Sequence, residues 1–173
     1  MNLVDAARCP YCARVRIALA EKGIEHEVTQ VDLSDRPQWL RELNPPSGRV
    51  PVLDGLPESE VIMELLEELQ PEPALLPSDP AARAHARLQV HRFDEYLGDD
   101  YYAYRRGDPN DLAARLEALD VGRSLFADLA YLPWVIRIRD VLGVALPQRL
   151  ADWLAELEQR PSVAAEVALV RGL

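Results

Sequence analysis

Hydrophobic and polar positions change period several times along this chain, and each change predicts an element. Residues 2–5, Asn-Leu-Val-Asp, are a short apolar run of strand type. From Pro10 the period becomes helical. Val15, Ala18 and Leu19 share one face, and Arg14, Arg16 and Glu21 are read as the more exposed one. Gly23 stops that helix, because glycine enters the left-handed region without steric penalty. Residues 26–33 alternate and carry β-branched side chains, the pattern of a second strand. A helix signal begins near Asp35 and ends at Pro45 and Pro46, and residues 49–55 read as a third short strand. Residues 57–70 form an amphipathic helix with Val61, Ile62, Leu65, Leu66 and Leu69 as its apolar stripe.

The pattern then lapses. Residues 71–79 are proline-rich and without period, interrupted by Ala74-Leu75-Leu76, and read as a linker with a small hydrophobic anchor. Beyond it the period is helical almost throughout, over 80–97, 111–119, 126–142, 148–158 and 162–170, punctuated by Pro109, Pro133, Pro147 and Pro161. The expectation is an α/β domain over residues 1–70, the linker, and an all-α domain over residues 80–173.

Composition narrows the function classes. Hydrophobic residues make up 49% and charged residues 28%, ordinary for a soluble globular protein. The net charge is −10, and acidic and basic residues alternate with no basic stripe, so neither nucleic acid nor an anionic membrane is an expected partner. The most apolar stretch, residues 125–146, is broken by Asp128, Arg137, Arg139 and Asp140, and is not read as a membrane span. The first residues show no charged leader followed by a long apolar run. With only two cysteines in the chain, a reducing, cytoplasmic setting is expected.

Those two cysteines, Cys9 and Cys12, enclose Pro10 and Tyr11. Three readings compete. The pair could be two small core residues sharing a helix face. It could be half of a zinc site, but only His26, His85 and His91 could complete one, and none has ligand spacing to the pair. Or it could be a redox pair. Proline is favoured at the first helical position, which puts Cys9 at the helix N-cap. There the exposed N–H groups and the positive end of the dipole favour a thiolate. Cys12 lies one turn inside, within reach of Cys9 but less favoured as a thiolate, which gives an attacking and a resolving thiol.

A second constellation sits downstream. Pro51 interrupts a strand, where proline fits poorly. A cis Val50–Pro51 bond would turn the Val50 N–H and C=O outward, ready to pair with an extended peptide; the plainer reading is a trans proline on an edge strand. Glu58 and Ser59 precede the amphipathic helix, where backbone N–H groups bind carboxylates, although a serine there often only caps the helix.

Cys-Pro-Tyr-Cys, then Val-Pro, then Glu-Ser, in this order, resemble the glutathione transferase superfamily, and the likeness runs over almost the whole chain. Residues 1–70 are similar to its thioredoxin-like domain and residues 80–170 to its helical domain. The Cys-Pro-Tyr-Cys motif is similar to that of glutaredoxins and of cysteine-type branches, the omega-like transferases and the two-domain glutaredoxin. The resemblance implies that Cys9 and Cys12 are catalytic and that Cys9 forms a mixed disulfide with glutathione, the cosubstrate, with no metal. It implies that Val50 and Pro51 hold the cysteinyl backbone of glutathione, and Glu58 and Ser59 its γ-glutamyl end. It also implies that a second substrate, a small-molecule or protein disulfide or an electrophile, lies between the domains against Tyr11, Tyr101, Tyr102 and Tyr104. The tyrosines also fit plain helix packing.

Two departures from the family pattern stand out. Only Asp54–Pro57 separate the third strand from the helix, leaving little room for a β3–β4 hairpin. Ser124 stands four residues before Asp128, one more than a capping box needs. The leading function is a glutathione-dependent thiol–disulfide oxidoreductase or thiol transferase. The alternative is a non-catalytic binding or regulatory protein that keeps the fold. Many relatives are dimers, and two arrangements stay open here: the acidic residues 64–72 of one copy face arginines 83, 87 and 92 of a second copy in a homodimer, or they simply face water.

Overall fold

A computed structural model describes residues 1–173 and orders them as four strands and nine helices. Residues fall into two compact units, Met1–Pro73 and Ala74–Leu173.

The first unit is built on a four-stranded sheet in the order β2-β1-β3-β4. Strand β1 (Asn2–Asp5) pairs in parallel with β2 (Glu27–Gln30), with α1 (Pro10–Lys22) as the crossover between them. Antiparallel to β1 runs β3 (Val52–Leu53), which pairs with β4 (Leu56–Pro57). Leu3 and Val4 are buried, whereas β2 is largely exposed at the sheet edge. The fourth strand is therefore present, contrary to the expectation drawn from the short connection. Two residues are enough, because Asp54 (φ 46°) and Gly55 (φ 87°) both take positive φ, as a type I′ hairpin requires. Asp54 is tied back to β1 from both sides: its N–H donates to the Asn2 carbonyl at 3.0 Å, and its Oδ1 accepts from the Asn2 N–H at 2.8 Å.

Helix α2 (Gln38–Leu43) and helix α3 (Ser59–Leu69) complete this unit. The apolar stripe of α3 is rotated from the expected one. Ile62, Met63 and Leu66 are buried, while Val61 and Leu69 are 46% and 52% exposed. Helix α1 ends as expected: Gly23 has φ 64° and its N–H returns to the Ala20 carbonyl. Lys22, at its last turn, is buried, pairing with Glu67 and donating to the Pro73 carbonyl at 2.8 Å.

The second unit is all helix: α4 (Pro80–His91), α5 (Asp99–Arg106), α6 (Leu112–Ala118), α7 (Leu125–Asp140), α8 (Gln148–Leu157) and α9 (Pro161–Arg171). Asp79 caps α4 by accepting the Ala82 N–H at 2.7 Å. The helix expected to end at residue 97 instead passes through a π-helical turn, Asp94–Gly98, and continues as α5. Gly98 makes that turn fit: a Cβ there would meet the Phe93 ring at 2.7 Å.

Helix α7 is the core of this unit, buried continuously from Phe126 to Ile138. Phe93 packs at a tilt against Trp134 with ring centres 4.2 Å apart, and Tyr131 donates its hydroxyl to the Gln89 carbonyl at 2.7 Å. Inside this core Arg137 meets Glu166 at 3.1 Å. At the start of α7 the extra residue between Ser124 and Asp128 is absorbed without loss of the turn. Ser124 is the N-cap and its carbonyl accepts the Asp128 N–H at 2.8 Å. The buried Asp128 carboxylate reaches past the cap to the Gly122 N–H, also at 2.8 Å. Burial pushes the Asp128 carboxyl up to about 6. No helix is long and apolar enough to cross a membrane.

Candidate active site

Cys9 is the N-cap of α1, with extended backbone (φ −82°, ψ 119°) and Pro10 at the first helical position. Its N–H donates to the Ala6 carbonyl at 2.8 Å and its carbonyl accepts the Ala13 N–H at 3.1 Å, so the chain enters the helix through a tight turn. No acidic residue occupies the first turn of α1. A negative charge on the Cys9 sulfur would meet the positive helix end without a carboxylate beside it on that turn.

The turn before Cys9 is held by a part-buried ion pair, although a helical wheel places Arg16 on the exposed face. Arg16 Nη1 lies 2.5 Å from Asp5 Oδ1, and the two side chains are 17% and 1% exposed. Arg16 also donates to the Ala6 and Ala7 carbonyls, at 3.5 and 3.4 Å. The second Asp5 oxygen accepts from Gln30 Nε2 at 2.5 Å. Asp5 ends β1 and Gln30 ends β2, so one carboxylate gathers both strand ends and the loop that carries the thiol.

Cys12 is fully buried, among Val4, Ala6, Leu40, Val50 and Val52. Burial pushes its thiol far above the ordinary range. A hydrogen bond with Cys9 and the negative charges of Cys9 and Asp5 add to the effect. The two cysteines are not joined in a disulfide.

Opposite Cys9 lies Val50, 8% exposed, whose carbonyl is 3.8 Å from the Cys9 sulfur. The Val50–Pro51 peptide is cis. Val50 and Pro51 stand just before β3 rather than within it, which shortens the strand expected over 49–55. A turn built by Asn44 and Gly48 delivers them. Asn44 Nδ2 donates to the Arg49 carbonyl at 3.0 Å, and the Gly48 N–H donates to the Asn44 carbonyl at 2.8 Å.

Glu58, with φ 70°, is the N-cap of α3, and no side chain bonds across that cap. Ser59 is the first helical residue and is 5% exposed. Its hydroxyl is not spent on capping; it accepts a bond from Arg14 Nη1 at 3.3 Å. Arg14 was expected on the exposed face of α1 and is 3% exposed. The spacing carries the signal: Arg14 stands four residues before Ala18, on the same buried face of α1. Tyr11, half-buried, lies beneath the Arg14 guanidinium, 5.1 Å from ring centre to Cζ.

The first unit thus brings together Cys9, Cys12, Tyr11, Val50, Pro51 and, through Arg14, Ser59. The other three tyrosines belong to α5 in the second unit and do not share one environment. Tyr101 is buried, Tyr102 meets it edge-on at 5.0 Å, and Tyr104 is 41% exposed.

A β-α-β-α-β-β-α sheet domain with a thiol at the N-terminus of its first helix and a cis-proline opposite, followed in the chain by an all-helical domain, defines the thioredoxin-like, two-domain class of glutathione transferases. Comparison with known proteins agrees. Residues 3–74 match the family of the glutathione S-transferase N-terminal domain. Glutathione S-transferase omega-2 of Mus musculus is 31% identical over 186 residues, covering 91% of this chain and 74% of that protein. The stringent starvation protein A homolog of Haemophilus influenzae is 44% identical over 89 residues, covering 49% of this chain and 42% of that protein. The crystal structure of glutathione transferase Omega 1C from Trametes versicolor superposes with a TM-score of 0.78 at 26% identity, covering 99% of this chain and 93% of that one. The chain belongs to the glutathione transferase superfamily and is an omega-like enzyme of that family.

Proposed function

We propose that this protein is a glutathione-dependent thiol transferase, with Cys9 as nucleophile and glutathione as cosubstrate. The observation that carries the reading is the Cys9 sulfur at the N-cap of α1, 3.8 Å from the carbonyl of Val50, the residue before cis-Pro51. The Val50 backbone supplies pairing groups for the cysteinyl portion of glutathione, and Glu58 and Ser59 at the mouth of α3 take its γ-glutamyl end.

The chemistry is two thiol–disulfide exchanges. The Cys9 thiolate attacks the glutathionyl sulfur of a mixed disulfide. The new bond is Cys9–S–S–glutathione, and the departing thiolate takes a proton from water. A second glutathione thiolate then attacks the glutathionyl sulfur, releases glutathione disulfide and regenerates the Cys9 thiolate. Burial keeps the Cys12 thiol protonated, which supports resolution by glutathione rather than by Cys12. The protein acts in a reducing cytoplasm on this reading. Val61 and Leu69, exposed on α3, support a homodimer; sedimentation of a monomer alone would remove that part.

The second reading is a binding or regulatory protein that keeps the fold without turnover. It draws on the 44% identity with a protein named for stringent starvation rather than for transfer. Reduction of a glutathionylated thiol by Cys9→Ser and Cys12→Ser variants, with mass spectrometry of the protein after exposure to glutathione disulfide, separates the two. Cys9→Ser is expected to lose both turnover and adduct, and Cys12→Ser to keep both. Wild-type protein that forms no adduct and turns nothing over would give the lead to the second reading.

A further inference from the structure

The segment from Pro71 to Pro80 has no regular structure before α4, and four of its ten residues are prolines. A proline has no N–H to give. What can fix such a chain is its carbonyls, and these need donors from elsewhere in the fold.

On the side of the first unit the donor is buried. Lys22, in the last turn of α1, has a side chain that is 0% exposed. An ammonium carries three N–H groups. The Lys22 ammonium pairs with Glu67 and donates to the Pro73 carbonyl at 2.8 Å and the Pro71 carbonyl at 3.4 Å, which gives three acceptors for three donors. Between them the Glu72 carbonyl accepts from Gln70 Nε2 at 2.8 Å. Lys22 therefore does two things at once. It closes the last turn of α1 on α3 through Glu67, and it holds the chain as it leaves α3.

On the side of the second unit the donors are different. Arg83, in the first turns of α4, donates through Nη1 to the Ser78 carbonyl at 2.7 Å and the Pro77 carbonyl at 3.4 Å. The Phe126 N–H donates to the Leu75 carbonyl at 3.1 Å, and the Leu75 side chain is 3% exposed. Ala74 stands apart from its neighbours. It is exposed, no hydrogen bond reaches its N–H or its carbonyl, and it is the first residue of the second unit.

We propose that this segment is a pinned strap with one joint rather than a flexible linker: Lys22 pins Pro71–Pro73 to the first unit, Arg83 and the start of α7 pin Leu75–Ser78 to the second, and Ala74 is the point at which the strap bends. Each pin acts on its own piece, because the two sets of donors share no acceptor.

Backbone ¹⁵N relaxation on the full chain tests this at the amides of Glu72, Ala74, Leu75 and Ser78. Wild type is expected to show order parameters of about 0.85 at Glu72, Leu75 and Ser78, as in rigid backbone, with a dip confined to Ala74. Lys22→Met should bring Glu72 below about 0.6 and leave Leu75 and Ser78 unchanged. The alkylation rate of Cys9, at the other end of α1, should stay as in wild type, which separates a lost pin from a loosened unit. Arg83→Met should do the reverse, loosening Ser78 and sparing Glu72. If Lys22→Met does not fold, Lys22→Met joined to Glu67→Gln, which leaves no buried charge alone, is read in its place. Low order parameters throughout 72–78 in wild type would make the segment a plain flexible linker and overturn the proposal. So would an Ala74 as rigid as its neighbours, a Glu72 unmoved by the loss of Lys22, or either variant loosening both pieces together.

Discussion

Replacing Arg16 by methionine removes the cation that clamps the turn before Cys9 and leaves the packing of its aliphatic stem. The cost follows from burial. Asp5 is 1% exposed, and without Arg16 its carboxylate keeps the Gln30 amide on one oxygen and loses the partner on the other. Breaking a buried pair on one side costs about 3–5 kcal/mol, because the remaining charge is desolvated without compensation. Arg16 is 17% exposed, so the lower end of that range, about 3 kcal/mol, is the better expectation. For a chain of 173 residues this corresponds to a fall in Tm of roughly 6–12 °C. The Ala6 and Ala7 carbonyls lose their Arg16 donor as well, so the loop loosens where it feeds Cys9. Urea and thermal unfolding followed by circular dichroism measure the first effect, and the alkylation rate of Cys9 in a Cys12→Ser background the second. Both should change together. Asp5→Asn in the same chain should recover much of the loss, since no buried charge then stands alone. An Arg16→Met variant within about 1 kcal/mol of wild type would refute the assignment of the clamp, as would a double variant less stable than Arg16→Met.

Three further outcomes are expected. Asp128 has its carboxyl raised to about 6 in the folded protein, above the 3.8 of the ordinary group, so the folded state binds the proton more tightly. Its contribution to stability is then full below about pH 4 and is lost as pH rises through 6, by up to roughly 3 kcal/mol. Asp128→Asn, which can still accept the Gly122 N–H, should therefore gain on wild type between pH 4.5 and pH 8; a difference in unfolding free energy that does not move with pH would contradict this. Gly98→Ala forces a Cβ to 2.7 Å from the Phe93 ring, which is pinned against Trp134. A loss of about 1–3 kcal/mol is expected by urea titration, and an unchanged midpoint would show that the ring can yield. Asp79→Ala removes the side-chain cap of α4, and should lower stability by about 1 kcal/mol in the same titration.

The sequence by itself determined most of the elements and their order, with β4 and α5 the exceptions. Period-two and period-3.6 patterns separate sheet from helix, and proline and glycine punctuate them, because these signals act over a few residues of backbone. The Cys-Pro step fixed Cys9 at a helix N-cap for the same local reason. The Asp54-Gly55 pair supplies the two positive φ angles of a tight turn, but the short connection argued against the hairpin, and only the structure showed it. Exposure was less legible. Arg14 and Arg16 look like solvent-facing charges on a helical wheel, and only packing revealed that both are drawn inward. Arg16 turns to a carboxylate at a strand end, and Arg14 to a serine 45 residues away. Likewise the α3 stripe had to be turned so that Met63 faced inward and Val61 outward, a choice set by the surface α3 packs on rather than by α3 itself. The positions of both thiols were written in the chain; the Val50 carbonyl opposite Cys9 and the contact of Arg14 with Ser59 were assembled between residues about 40 or more positions apart, which no local pattern encodes.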